Sequence, residues 1–137
     1  MIKIDKRKAV IFFSALVLDA LGPRNALINV LITVIVLDYA TGLLRAGYEC
    51  KMNSLVGAKG IIKKIGYLVG VALAHQIDLW LHTGDAFRAM SISLFIANET
   101  WSNIENLAVL GIVFPKSLLG KIKEMMDPEQ LIKNGKK

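Results

Sequence analysis

From Ala26 to Leu44 the chain runs nineteen residues with a single charge, Asp38. A helix rises about 1.5 Å per residue, so about 20 apolar residues cross a hydrocarbon core of about 30 Å. Two further runs, Ile61 to Leu81 and Ala89 to Phe114, pass on length, the last closed by Pro115. A fourth, Ala9 to Leu21, is closed by Gly22-Pro23 and spans only about 20 Å as a helix. It needs its flanks, a thinned bilayer or a re-entrant path.

These runs occupy most of a 137-residue chain. Hydrophobic residues make up 54% of it, and about 62% with the 11 glycines, against roughly 45–50% for a soluble domain. A chain this short cannot hide that excess from water. No run alternates with period two, so strands are not expected. One cysteine, Cys50, excludes an internal disulfide, and His75 and His82 lack the further ligands of a zinc site. No phosphate loop, nucleophile elbow or triad is present. The expectation is a non-enzymatic, all-α integral membrane protein without cofactor or metal. It has three long transmembrane helices and a shorter N-terminal apolar helix.

Charge sets the topology. Residues 1–8 carry net +3, the stretch 45–64 net +4 and the tail from Lys116 net +3. The Gly22–Asn25 turn carries +1, from Arg24, and the loop 82–88, with Asp85 and Arg88, carries zero. Basic loops stay on the cytoplasmic side. Four crossings with both termini inside place +10 inside and +1 outside, so that arrangement is favoured. Leu18-Asp19-Ala20 departs from a small-x-small cleavage site, so the first segment reads as retained rather than as a signal peptide. The organisation expected is residues 1–25 as basic N-terminus and short helix, 26–115 as the transmembrane domain, and 116–137 as a basic cytoplasmic tail.

Five acids lie within or at the ends of the apolar runs: Asp19, Asp38, Asp78, Glu99 and Glu105. A carboxylate at a helix centre costs about 2.5–3.5 kcal/mol on insertion scales, so each must be protonated, paired or wet. On a helical wheel Ser91, Asn98, Glu99, Ser102, Glu105 and Asn106 share one stripe, with Phe95 interrupting it and Trp101 and Ile104 opposite. Asn98, Glu99, Ser102, Glu105 and Asn106 are therefore candidates for a pore lining or an oligomer interface. The simpler reading is that they join helices within one monomer. Asp38, Gly42 and Asp78 are candidate packing or buried-acid positions, because Asp38 and Gly42 share a face and Gly42 and Ala46 permit close approach. His75 and Asp78, three apart, read as a hydrogen-bonded pair. Lys59, Lys63 and Lys64 sit at the cytoplasmic end of the third run and are expected to contact lipid head groups.

These residues resemble a known family, the phage holins of the toxin-secretion and phage-lysis type, which include holin-like proteins encoded beside clostridial toxins. The resemblance rests on Asp38-Tyr39-Ala40-Thr41-Gly42, on the basic glycine stretch from Ser54 to Lys64, and on a mid-helix Asp78. It also rests on Asn98, Glu99, Ser102, Glu105 and Asn106 followed by Gly111 and Pro115. It covers about residues 26–120, and Asn103 departs from it by widening the polar stripe. It implies a homo-oligomer in the bacterial cytoplasmic membrane that opens a lesion for an endolysin or a toxin-like protein. Its partners would be copies of itself, membrane lipids and, functionally, the endolysin, with no nucleic acid. The rivals are an antiholin or membrane scaffold, and a small four-helix proton-coupled exporter. A soluble nucleic-acid binder is a more distant alternative.

Overall fold

The computed structural model describes Lys3 and residues 5–127, apart from the side chains of residues 54–56. Among the described residues it is all-helical: α1 (Lys6–Ala20), α2 (Ala26–Tyr48), α3 (Ser54–Leu81), α4 (Ala86–Val109) and α5 (Lys116–Met126).

Local chemistry sets each boundary. Asp5 caps α1 by accepting from the Arg7 amide at 3.1 Å, and Asn25 caps α2 by accepting from the Ile28 amide at 3.1 Å. Gly22, at φ +80°, makes the turn between them. The amides opening α4 are served from another helix: Asp78 of α3 accepts from Phe87 N at 3.0 Å and from Arg88 N at 2.8 Å. It also accepts from the Thr83 hydroxyl at 2.6 Å. At the other end of α4, Gly111 is left-handed (φ +86°). Its amide bonds Ala108 O and the Ile112 amide bonds Leu107 O, a Schellman closure.

The hub is α4. Helices α2 and α3 both pack against it, α5 folds back along it, and α1 meets α3. One apolar cluster joins Ile28 and Leu31 of α2, Val71 of α3 and Ile92 of α4. A second joins Ala97 and Ile104 of α4 to Ile122 of α5. The expected basic tail thus begins with a helix docked on α4, while residues 128–137 lie outside the described residues. Phe95, which interrupted the polar stripe, stacks on Tyr67 with ring centres 4.5 Å apart. Gly70 leaves room for that ring, since a Cβ there would stand 3.0 Å from Phe95 Cζ.

The apolar core is small and the apolar exterior large. No residue of α1 is buried, and Val10, Ile11, Phe12 and Phe13 are each about two-thirds exposed or more. Val36, Leu44, Ile62, Val69, Leu73 and Trp80 also face outward. Of the described helices only α2 is long and apolar enough to qualify as a membrane span. Three long spans were expected. Helices α3 and α4 reach the length but carry Lys59, Lys63, Lys64 and Asp78, and Arg88, Glu99 and Glu105. Most of these charges have partners inside the bundle.

Arg88 is the largest departure from expectation. The sequence placed it in a neutral loop beside Asp85. The structure buries it completely. Its Nε donates to Leu21 O at 2.7 Å, its Nη2 to Pro23 O at 2.8 Å and its Nη1 to Asp85 at 3.2 Å. One side chain ties the end of α1 and the α1–α2 turn to the start of α4. Arg88→Met strands those carbonyls, and the expected loss is about 3 kcal/mol of stability. Arg88→Lys recovers only part of it, because one ammonium lacks the guanidinium fork. Denaturant titration in detergent micelles, followed by helical circular dichroism, measures both.

Candidate functional site

Near the middle of α2 and α4, three charged side chains from three helices meet. Lys64 Nζ of α3 lies 2.7 Å from Asp38 Oδ2 of α2 and 2.6 Å from Glu99 Oε2 of α4. Lys64 and Asp38 keep 15% and 14% of their side-chain surface, and Glu99 only 1%. Two carboxylates share one ammonium, so the cluster carries one surplus negative charge when both acids are ionised.

An amide and hydroxyl layer extends the cluster. Asn106 Nδ2 donates to Asp38 Oδ1 at 3.2 Å and to the Thr41 hydroxyl at 3.1 Å. The Thr41 hydroxyl donates to Asn103 Oδ1 at 3.0 Å. Asn103 Nδ2 donates to two backbone carbonyls, Val34 O on α2 at 3.0 Å and Glu99 O on its own helix at 2.8 Å. The hydrogen bonds that join α2 and α4 in this layer are partly or fully buried, so a lost partner there is costly. Gly42 sits against it, with its missing Cβ 3.8 Å from Asn106 Nδ2.

The polar stripe expected on α4 therefore divides. Glu99 and Asn106 turn into the bundle, joined by Asn103. Ser102 and Asn106 line an open cleft of about 870 Å³, whose walls include Asp38, Gly42, Lys51 and Lys64. Asn98 is half-buried. Glu105 faces outward and accepts from Trp101 Nε1 at 2.8 Å, although the wheel set Trp101 on the apolar side. Trp101 also lies under Lys123 of α5, 5.0 Å from ring centre to Nζ.

The three lysines divide too. Lys59 and Lys63 are exposed, Lys63 lying 5.5 Å over the Tyr67 ring. Lys64 departs from the expected head-group contact, because its ammonium is taken by Asp38 and Glu99. Asp78 is buried as expected, but its partners are Thr83 and the first α4 amides rather than His75. Among the described residues no three His, Cys, Asp or Glu side chains converge as metal ligands. Sequence reasoning marked Asn103 only as widening the polar stripe, and it missed the bonds of Asn103 and the pairing of Lys64. The available signal was the shared burial problem of two acids with one lysine at a similar depth.

Comparison with known proteins gives one consistent result. Residues 15–127 match the model of the bacteriophage holin family. The uncharacterised protein Lmo0128 of Listeria monocytogenes is 41% identical over 109 residues, covering 80% of this chain and 78% of that protein. BH0965 of Halalkalibacterium halodurans, also uncharacterised, is 37% identical over 121 residues, 81% of this chain and 90% of its own. A probable holin of Bacillus phage phi105 is 23% identical over 95 residues, covering 69% and 70%. No solved structure matches.

The cluster makes a clear demand on variants. Lys64→Met leaves two facing carboxylates without their cation, and the expected loss is about 3–5 kcal/mol. The triple change Asp38→Asn, Lys64→Met, Glu99→Gln removes all three charges and restores most of that loss. Unfolding in micelles compares the three proteins.

Proposed function

The chain belongs to the bacteriophage holin family, a non-enzymatic membrane protein family, and from that premise we propose that it assembles in the bacterial cytoplasmic membrane and opens a lesion. In this reading α1 to α4 cross the bilayer with both termini inside. The lesion admits an endolysin, or a toxin-like protein, to the cell wall.

The observation that carries the reading is the inside-out distribution of polarity. Apolar side chains cover the exterior, while Asp38, Lys64, Glu99, Asn103 and Asn106 are bonded to one another inside. In the resting monomer α4 satisfies its polar face against α2 and α3. In the open state the same face turns to water, with Asn98, Glu99, Ser102 and Asn106 along the lesion and neighbouring copies closing the ring. The ground state is then closed, and opening requires exchanging contacts within one copy for contacts between copies. Glu105 is exposed and accepts from Trp101, and in this reading it makes such a contact between copies.

Induction in a bacterial host with a co-expressed cytoplasmic endolysin tests this. Abrupt loss of membrane potential followed by endolysin-dependent lysis is the expected result. Depolarisation without enzyme release would replace it with a small pore or exporter. No effect, with the protein present in the membrane, would replace it with an antiholin or scaffold. Glu105→Gln keeps shape and removes charge, and a shifted lysis time is expected. Unchanged timing and oligomer size would remove Glu105 from the mechanism.

A further inference from the structure

Helix α1 is the least explained part of the fold. It has no buried residue, and four successive side chains, Val10, Ile11, Phe12 and Phe13, point in four directions and are all exposed. From Ala9 to Leu18 only Ser14 is polar, with Lys6, Arg7 and Lys8 before and an exposed Asp19 after, and a segment apolar on every side does not lie at an interface, where one face must be polar. Hydrocarbon is the environment that covers all its sides. Its length, however, is 15 residues, about 22 Å, whereas α2, starting from the same turn, has 23 residues, about 34 Å.

The depth of α1 is not free to adjust at its C-terminal end. Arg88 holds Leu21 O and Pro23 O. Gly22 is packed so closely that a Cβ there would stand 2.9 Å from His75 Nδ1. From that fixed point the first turn of α1, with Lys6, Arg7 and Lys8, reaches at most about 22 Å at any tilt. Three consecutive cations do not rest in hydrocarbon. The apolar exterior of α2 meanwhile runs on through Leu43, Leu44 and Tyr48.

We infer that α1 is a bilayer-thinning element: its short, clamped span draws the inner head-group layer toward the membrane centre beside each copy. This rests on the reading that α1 crosses the membrane. The shortfall is about 8 Å against a core of about 30 Å. Copies that gather share one thinned patch, so mismatch gives the protein a reason to cluster that needs no specific contact. The ligand of the α1 surface is lipid hydrocarbon, selected by its thickness.

The test uses the full chain labelled at its exposed Cys50 with donor and acceptor dyes. It is reconstituted at fixed protein-to-lipid ratio in dimyristoleoyl (thin) and dierucoyl (thick) phosphatidylcholine vesicles. Energy transfer between copies is expected to rise about twofold or more from thin to thick lipid. A variant with two extra apolar turns inserted between Leu16 and Val17 is expected to lose that rise. Transfer that is equal in both lipids, for protein that floats with both, overturns the inference and leaves the membrane-spanning reading standing. Failure to float with either lipid overturns both.

Discussion

One ammonium group organises this fold. Lys64 of α3 satisfies Asp38 of α2 and Glu99 of α4 at once, at 2.7 and 2.6 Å. Without it, two carboxylates in a largely apolar bundle have no cation, and α2 and α4 repel where their polar faces meet. Buried ion pairs add little net stability over apolar packing of the same shape, but losing one partner is expensive. The cluster is therefore better understood as a specification of how the helices pair. It fixes which face of α4 looks inward, and with it the positions of Asn103, Asn106 and Thr41.

A second polar centre, at the start of α4, works differently. Asp78 and Arg88 satisfy backbone rather than each other's side chains: Asp78 takes the first amides of α4, and Arg88 takes the last carbonyls of α1 and its turn. Backbone carbonyls at a helix end that are packed away from water must be satisfied by protein, and Arg88 does this for Leu21 and Pro23. Between the two centres lie the apolar contacts of Leu31, Val71 and Ile92, all fully buried. The interior is polar at the start of α4 and again from the middle of α2 and α4 onward, with the apolar cluster between, and much of the exterior is apolar.

Much of this was legible in the chain. Run lengths and the Gly-Pro and Pro punctuation place all four long segments, and the helices found begin and end within a few residues of them, apart from the longer N-terminal start of α3 and the earlier end of α4. The acids within the apolar runs stood out as groups in need of partners; Asp38, Asp78 and Glu99 have them inside the bundle, whereas Asp19 and Glu105 are exposed. What periodicity could not give is which helix faces which. Lys64 at the end of an apolar run reads as a surface lysine until α2 and α4 are brought beside it. Arg88 next to Asp85 reads as a loop pair until the α1–α2 turn arrives. Helix α5 was hidden by composition, because its lysines suggested a solvated tail while Leu119, Ile122 and Met126 carried the packing.

In the proposed mechanism the lesion opens when α4 separates from α2. The most direct test is a lock across that contact. Gly42 packs against Asn106, an added Cβ lying 3.8 Å from Asn106 Nδ2, so Gly42→Cys with Asn106→Cys, in a Cys50→Ser background, is the pair to cross-link across that contact. In dye-loaded vesicles the oxidised protein should insert and hold the dye, and reduction should release it. Equal release from oxidised and reduced protein, with the disulfide confirmed intact, would contradict the claim that the polar face of α4 must leave α2 for the lesion to open.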